Sequence, residues 1–456
     1  MTNADLIARY DGRVPRYTSY PTAPHFSAAV GPDRYGAWLR DLAPDVPISL
    51  YLHVPFCDRL CLYCGCNTGV VRHEAPRRAY AALLEREVRL VAAQMGRRRV
   101  SHVHWGGGTP TTLPADCLTG LMASVRTLFD VTDDAEIAIE LDPTALPTDR
   151  LAALAAMGVT RVSLGVQDLN PAVQRAIGRL QSYEETEACA QAVRGIGVRA
   201  INLDLIYGLP LQTEQSVAET ARRALGLEAG RVAVFGYAHV PWMKRHQALI
   251  QEATLPGAQA RFDQRAAIGR VLEQEGGYLP VGLDHYARPD DALAQAAHHR
   301  QLHRSFQGYT TDAAPALIGL GASAIGCLPQ GYIQNATRVP DYAQAIRAGQ
   351  AATMRGVALS AEDRLRRAVI EQVMCDLHAD LPGLARAHQA DPAPLLAAAR
   401  RLEGFARDGL VSWDGAMVRV TEAGRPFVRN VAALFDAYLN QHNADNDTKP
   451  RHAQAV

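Results

Sequence analysis

The sequence has no surplus of charge. Its 47 lysines and arginines balance 47 aspartates and glutamates, so the formal net charge over 456 residues is zero. Without a net field or a dense basic stripe, binding to nucleic acid or to an anionic membrane surface is not expected. An acidic ligand would have to be met by local arginines. No uninterrupted apolar run approaches the ~18 residues of a membrane span. The opening Met-Thr-Asn-Ala-Asp-Leu lacks the basic region and apolar core of a signal peptide. Cysteine is also sparse, at eight residues. Cys117, Cys189, Cys327 and Cys375 are scattered, while the other four fall within ten positions. A secreted disulfide framework would spread its cysteines over a much shorter chain. Clustered thiols favour metal or redox chemistry in a reducing compartment, so a cytoplasmic location is expected.

What is present is the segment Cys57-Asp-Arg-Leu-Cys61-Leu-Tyr-Cys64-Gly-Cys66. It follows Ser49-Leu-Tyr-Leu-His-Val54, which reads as a buried strand closed by Pro55. Thiols at i, i+4 and i+7 on a loop leaving a strand can converge on one point, and thiolates select zinc, copper(I) or iron–sulfur clusters. A structural zinc site wants four ligands, commonly as two separated pairs, and no second pair lies at that spacing. An iron–sulfur cluster fits better. Three ligands on four irons would leave one iron open to chemistry. Cys66 could compete as a fourth ligand and close it.

From residue 49 to about 245, apolar runs alternate with amphipathic stretches. The expected strands are Ser49–Val54, Val100–Trp105, Glu136–Asp142, Arg161–Gln167, Ala200–Gly208 and Arg231–Ala238. Helices lie between them, one over Ala75–Met95 and one opening with a capping box at Ser182 and Glu185. This rhythm predicts an α/β fold with a parallel sheet covered by helices. Polar or glycine-rich words sit at the strand ends: Cys57–Cys66, Gly106–Thr109, Glu140 and Asp142, Gln167 and Asp168, Asp204, and Tyr237–His239. A parallel barrel builds its active site on such a rim, although an open two-sided sheet would satisfy the same pattern.

Residues 1–48 carry six scattered prolines between Pro15 and Pro47 and are expected to be irregular, forming an arm that packs across the main domain or closes over a ligand. Residues 49–360 form the barrel and its extension. His298-His299 reads as a solvated helix face, and Ile318–Ile325 as a glycine-rich turn. Residues 361–440 turn alanine- and arginine-rich, then Asp414-Gly415 marks a hairpin, suggesting a small helical, winged-helix-like domain. Residues 441–456 read as a disordered tail. Gly106-Gly-Gly-Thr109 lacks the ending of a phosphate loop. Its glycines could instead let backbone carbonyls approach an ammonium group.

The word C-x3-C-x2-C with Tyr63 before its third cysteine resembles the radical S-adenosylmethionine enzymes. Further words narrow the likeness: Arg16-Tyr-Thr-Ser-Tyr-Pro-Thr22, Tyr51-Leu-His-Val-Pro-Phe-Cys57, Cys64-Gly-Cys66-Asn67, His104-Trp-Gly-Gly-Gly-Thr-Pro-Thr111, Asp204-Leu-Ile-Tyr-Gly-Leu-Pro210, Ala287-Arg-Pro-Asp-Asp291 and Phe306-Gln-Gly-Tyr-Thr-Thr311. In order and content they resemble the oxygen-independent coproporphyrinogen III oxidases over nearly the whole chain.

That resemblance implies a partial (β/α)6, TIM-like barrel with a C-terminal helical lid. It implies a [4Fe–4S] cluster on Cys57, Cys61 and Cys64, with Cys66 not a ligand, and two molecules of S-adenosylmethionine. Tyr51, Tyr63, Gly107, Glu140 and Ile325 would contact the first; Gly108, Thr109, Gln167, Arg179, Asp204 and Ala238 the second. The implied reaction removes hydrogen from the β-carbon of a propionate, then releases carbon dioxide and one electron to leave a vinyl group, twice per tetrapyrrole. Arginine forks suit a tetracarboxylate substrate, and Arg16, Arg288 and Arg304 are the candidates, with His285 and His303 behind them. An unidentified electron donor is implied, and a monomer is expected. Other readings are a heme-trafficking relative, a different radical enzyme of the same branch, or a redox-sensing DNA-binding regulator.

Overall fold

The fold was described from a computed structural model, which covers residues 2–144 and 146–442. Twelve strands form one sheet. Six of them, β1 (Ile48–Val54), β2 (Arg99–Gly107), β3 (Asp130–Leu141), β4 (Arg161–Gln167), β5 (Ala200–Tyr207) and β6 (Arg231–Gly236), run parallel in sequence order. Beyond β6 come the short antiparallel strands β7 (Leu279–Val281) and β8 (His285–Ala287). A later strand, β9 (Ala316–Leu320), joins β1 in parallel on the other side, followed outward by β10 (Ile325–Leu328), β11 (Gly331–Asn335) and β12 (Thr353–Ala358). The spatial order is therefore β12-β11-β10-β9-β1-β2-β3-β4-β5-β6-β8-β7, a sheet with two free edges and not a closed ring. The open partial barrel is the architecture expected, with strand ends within two residues of where the apolar runs suggested. β3 is the exception, beginning six residues before Glu136.

Helices Glu74–Met95, Ala115–Leu128, Thr148–Met157, Tyr183–Gly195, Glu214–Leu225 and Ala258–Arg270 cover the outside. The Ser182 hydroxyl accepts from the Glu185 N–H and the Glu185 carboxylate accepts from the Ser182 N–H, closing the expected capping box. The two faces of the strands differ in chemistry. In β4, Val162, Leu164 and Val166 are buried against helices, whereas Arg161, Ser163, Gly165 and Gln167 face the lumen and are only half-buried. A lumen lined this way is not a packed hydrocarbon plug. Its floor is ionic: Arg161 Nε lies 2.9 Å from Glu136 Oε2, and Arg231 Nε lies 2.6 Å from Asp291 Oδ1.

Two expectations need correction. Residues 3–10 and 32–41 are helical. The second helix starts on Pro32, where a fixed φ and a missing N–H do no harm. Ile318–Leu320 lies in strand β9, and the turn begins only at Gly321, whose φ is +99°. His298 and His299 end a short helix with both rings exposed, as expected.

A second apolar core gathers Val369, Val373, Leu381, Leu402, Phe405, Leu410, Val418, Phe427 and Phe435. It contains an antiparallel three-stranded sheet in the order His378–Asp380, Met417–Val420, Val411–Trp413, whose Asp414–Ala416 turn is the anticipated hairpin. Leu6, Ile7, Tyr17 and Tyr20 from the N-terminal arm belong to this core. Asn430 Nδ2 donates to the Tyr10 carbonyl at 2.7 Å, and the Tyr17 hydroxyl to Asp436 at 3.0 Å. Helix Ala437–His442 runs into the segment expected to be a tail, and residues 443–456 lie outside the described residues.

Candidate functional site

The cysteine loop leaves β1 through a short parallel ribbon in which Phe56 and Cys57 pair with Gly69 and Val70. Thr68 Oγ1 lies 3.1 Å from Cys57 Sγ, and Arg179 Nη1 donates to Cys61 Sγ at 3.6 Å. The loop is strapped from outside by an irregular segment after β6. Lys244 Nζ donates to the Cys66 carbonyl at 2.9 Å, the His246 ring to the Cys64 carbonyl at 2.8 Å, and Gln247 Nε2 to the Tyr63 carbonyl at 2.9 Å. No motif announces these three residues in the sequence, because they act through their reach and not through a pattern.

Inward of the loop is a cavity of about 500 Å³. Its wall includes Cys57, Cys61, Cys64 and Cys66, Tyr63, Gly107, Gly108 and Thr109 from the end of β2, Glu140 and Asp142 from β3, Gln167, Arg179, Asp204 and Ala238. Most of the expected site residues therefore share one space. Ile325 does not wall this cavity; it packs with Phe26 and Tyr332. Tyr51 stands one layer back, its hydroxyl 3.0 Å from His53 Nδ1. Asp168 turns away into the helix layer, where Gln212 and Thr220 donate to it. His239 is engaged by Tyr237 and Glu252.

The glycine turn is shaped by its neighbours. A Cβ on Gly107, whose φ is +115°, would stand 2.7 Å from the His53 ring, and one on Gly108 would stand 2.5 Å from the Phe56 carbonyl oxygen. The N–H groups of Gly107, Gly108 and Thr109 donate to Glu140 Oε2, the Val54 carbonyl and the Phe56 carbonyl. With these N–H donors spent inside the protein, the backbone of this turn offers a ligand carbonyl acceptors, which suits an ammonium and not a phosphate. Gln167 also has a positive φ, +66°, at a strand end on the cavity wall. Such a conformation costs a non-glycine residue about 1 kcal/mol or more and is concentrated at ligand sites.

Charges on the wall are arranged in opposition. Burial raises the Asp142 carboxyl, but Arg179 and Arg59 overcome it and hold it below the usual range. Asp204 has no such cation. Burial, with Glu140 nearby, pushes it up to about 6, although Ser163 and Asn202 donate to it. Glu140 stays low, because the His104 ring and the Gly107 N–H donate to it against the cost of burial.

A second cavity of about 450 Å³ lies deeper in the lumen and shares Arg16, Cys66, Glu140, Ser163, Asp204 and Phe235 with the first. Arg16 and Arg304 both line it, as does His285. Arg304 comes from the hairpin His303–Ser305/Gly308–Thr310 and stacks 4.3 Å from the Tyr309 ring centroid. Arg288 is elsewhere. Its N–H bonds the Gly230 carbonyl ahead of β6, which puts its exposed side chain at the end of the sheet opposite the cysteine loop. The word Ala287–Asp291 serves the ionic floor through Asp291. His303 pairs with Glu371 and is absent from both cavity walls.

Among the described residues, no three His, Cys, Asp or Glu side chains are gathered as they would be around a single metal ion. Three thiols spread along one loop above a roomy cavity suit a polynuclear iron–sulfur cluster instead, and the donor set fits that group.

Comparison with known proteins agrees with this chemistry. Residues 51–224 match the family described as the Radical SAM superfamily, and residues 359–427 the HemN C-terminal domain. The chain is 49% identical over 439 residues to the oxygen-independent coproporphyrinogen III oxidase of Bradyrhizobium diazoefficiens, covering 96% of this chain and 97% of that protein. It is 43% identical to the anaerobic coproporphyrinogen III oxidase 1 of Cereibacter sphaeroides, covering 96% and 98%. The solved structure of coproporphyrinogen III oxidase (HemN) from Escherichia coli, described as a radical SAM enzyme, superposes with a TM-score of 0.89 at 39% identity over 96% of this chain and 99% of that one.

Proposed function

The chain belongs to the oxygen-independent coproporphyrinogen III oxidases of the radical SAM superfamily, and from that premise we propose that it decarboxylates two propionate side chains of coproporphyrinogen III to vinyl groups without oxygen, giving protoporphyrinogen IX for heme synthesis. The observation that carries this reading is the pair of joined cavities, with thiols and the glycine turn's carbonyl acceptors on the outer one and Arg16 and Arg304 on the inner one.

The chain is a radical SAM enzyme that binds a [4Fe–4S] cluster and S-adenosylmethionine. When bound, these supply a 5′-deoxyadenosyl radical able to take hydrogen from an unactivated carbon. Cys57, Cys61 and Cys64 would hold the cluster, leaving Cys66 free of iron. Tyr63, Gly107 and Glu140, with Tyr51 and Ile325 behind the wall, would hold one S-adenosylmethionine. Gly108, Thr109, Gln167, Arg179, Asp204 and Ala238 would hold a second. The protein's own work is positioning and exclusion of water and oxygen. The Gly107–Thr109 acceptors face an ammonium, Arg179 faces carboxylate or thiolate charge, and the strap through Lys244, His246 and Gln247 keeps the loop in place. The tetrapyrrole occupies the inner cavity. Electrons come from a separate, unidentified donor in a reducing cytoplasm, and the chain works as a monomer without nucleic acid or membrane. No helix among the described residues is long and apolar enough to cross a membrane.

The deciding experiment is anaerobic reconstitution followed by addition of coproporphyrinogen III, S-adenosylmethionine and reductant. Protoporphyrinogen IX with release of 5′-deoxyadenosine and carbon dioxide is expected. Heme binding with no carbon dioxide released would overturn the reading.

A further inference from the structure

Nine large apolar side chains are exposed among the described residues, and six of them sit on the cysteine loop or on segments bonded to it. Leu60 and Val70 belong to the loop and its ribbon. Leu180 is 58% exposed, and its carbonyl accepts from Arg59 Nη1 at 3.1 Å. Trp242, Met243 and Leu249 lie on the strap, with Met243 63% and Leu249 70% exposed. The strap turns its polar side chains inward, to the Tyr63, Cys64 and Cys66 carbonyls, and leaves these apolar ones to solvent. Apolar side chains scattered singly over a surface are ordinary, but a concentration at one place marks a contact surface.

The same segments are basic in a chain that is neutral as a whole. Residues 57–72, 171–182 and 239–251 hold Arg59, Arg72, Arg175, Arg179, Lys244 and Arg245 against a single carboxylate, Asp58, which Arg77 engages. Arg59 and Arg179 are taken up by Asp142. Arg72, Arg175 and Arg245 are exposed and form no ion pair among the described residues. Arg13, from the arm, lies 5.5 Å from the Trp242 ring centroid and adds a fourth exposed cation. Of the flanking carboxylates, Glu74 pairs with Arg78, Glu185 closes its capping box and Glu252 pairs with His239, which leaves Glu184 at the margin.

This surface lies over the thiols, and Leu60 is the chain neighbour of Cys61. Cleavage of each S-adenosylmethionine takes one electron, which has to enter from outside. Electron-transfer encounters are small, below about 1,200 Å² in all, and charge steers them. A rim of arginines selects an acidic partner. An apolar centre suits a flavin carrier, whose exposed ring edge is itself apolar.

We propose that this patch is the docking face for an acidic flavin-carrying protein that supplies the electrons of the reaction. The transfer is outer-sphere: the reduced flavin loses one electron and the cluster gains it, with no atom exchanged. The proposal rests on the functional reading above and deepens it by giving the donor a chemical class and a landing place.

The test mixes the reconstituted full chain, its cluster oxidised, with fully reduced flavodoxin and follows the bleaching of the cluster's visible absorbance. In the parent, reduction should slow as salt rises. Arg175→Glu, Arg245→Glu and Met243→Asp should each slow it about ten- to hundredfold. With dithionite in place of flavodoxin, all three variants should be reduced and release 5′-deoxyadenosine as the parent does. Met354→Glu, exposed on β12, should alter neither reaction. Parental rates with flavodoxin in the three variants, no effect of salt, or faster reduction by a two-iron ferredoxin would overturn the proposal. Slowing with dithionite as well would make the patch part of the loop's structure. A raised KM for coproporphyrinogen III with dithionite would make it the substrate's entrance, and binding of anionic lipid vesicles in place of flavodoxin would make it a membrane surface. Each of these results overturns the proposal too. Cluster reduction needs no tetrapyrrole, so it is read separately from the conversion of coproporphyrinogen III that tests the functional reading.

Discussion

Arg179 and Cys61, 118 positions apart in sequence, stand 3.6 Å from nitrogen to sulfur, and the same guanidinium reaches Asp142 Oδ1 at 3.3 Å and the Gly165 carbonyl at 2.8 Å. One cation thereby ties the cysteine loop to the ends of β3 and β4. Arg179→Gln removes the closer of the two cations that hold Asp142 ionised. Breaking a buried pair from one side costs about 3–5 kcal/mol, and the remaining Arg59 should reduce this to roughly 2–3 kcal/mol. Urea denaturation of the cofactor-free chain measures the loss.

Asp204 sets a pH dependence. Its folded pKa, about 6, exceeds the 3.8 of an exposed aspartate, so between these pH values the folded chain binds more protons than the unfolded one. Stability contributed by this group is therefore present at low pH and lost as pH rises through about 6. Asp204→Asn should flatten that part of the stability profile and raise stability at pH 8 by about 1–3 kcal/mol. It should also impair S-adenosylmethionine binding. Denaturation midpoints at several pH values, beside a binding titration, check both effects.

Gly107→Ala should be severe. The new methyl would meet a ring held by Tyr51, Asn67 and Ser323, at a backbone angle that disfavours any side chain. A loss of roughly 2–4 kcal/mol is expected. Gly106→Ala meets the movable end of Glu140 instead and should cost less. Thermal melts of the two variants side by side rank them.

Cys66→Ser should keep a four-iron cluster after reconstitution, whereas Cys57→Ser, Cys61→Ser and Cys64→Ser should not. Iron and sulfide analysis with paramagnetic resonance decides. Loss of iron from Cys66→Ser alone would reverse the ligand assignment.

The barrel was legible because each buried strand carries its own apolar run and some of the helices between them carry a start signal, as at Ser182 and Thr213. The thiols and the glycine turn were legible because they are contiguous. What sequence could not rank were the arginines. Arg288 and Arg304 sit in equally distinctive words, yet β8 carries one to the far end of the sheet and the hairpin carries the other into the lumen. Ile325 and Asp168 missed the cavity for a related reason: Ile325 lies beyond the parallel strands that wall it, and Asp168 lies one residue past the lumen-facing Gln167. The strap through Lys244, His246 and Gln247 had no pattern to find, since a side chain bonded to a distant carbonyl leaves no periodicity.

The joining of the two chain ends bears on how the protein is made. Arg9 and Tyr10 bond Asp408, Tyr17 bonds Asp436, and the Ala437 N–H bonds the Tyr20 hydroxyl. Synthesis runs from the N-terminus at roughly 5–20 residues per second. The arm that carries Arg16 into the site thus leaves the ribosome well before the residues it packs against. The contacts with Asp408, Asp436 and Ala437 can form only after the strands between them have been made, so seating the arm is a late step of folding.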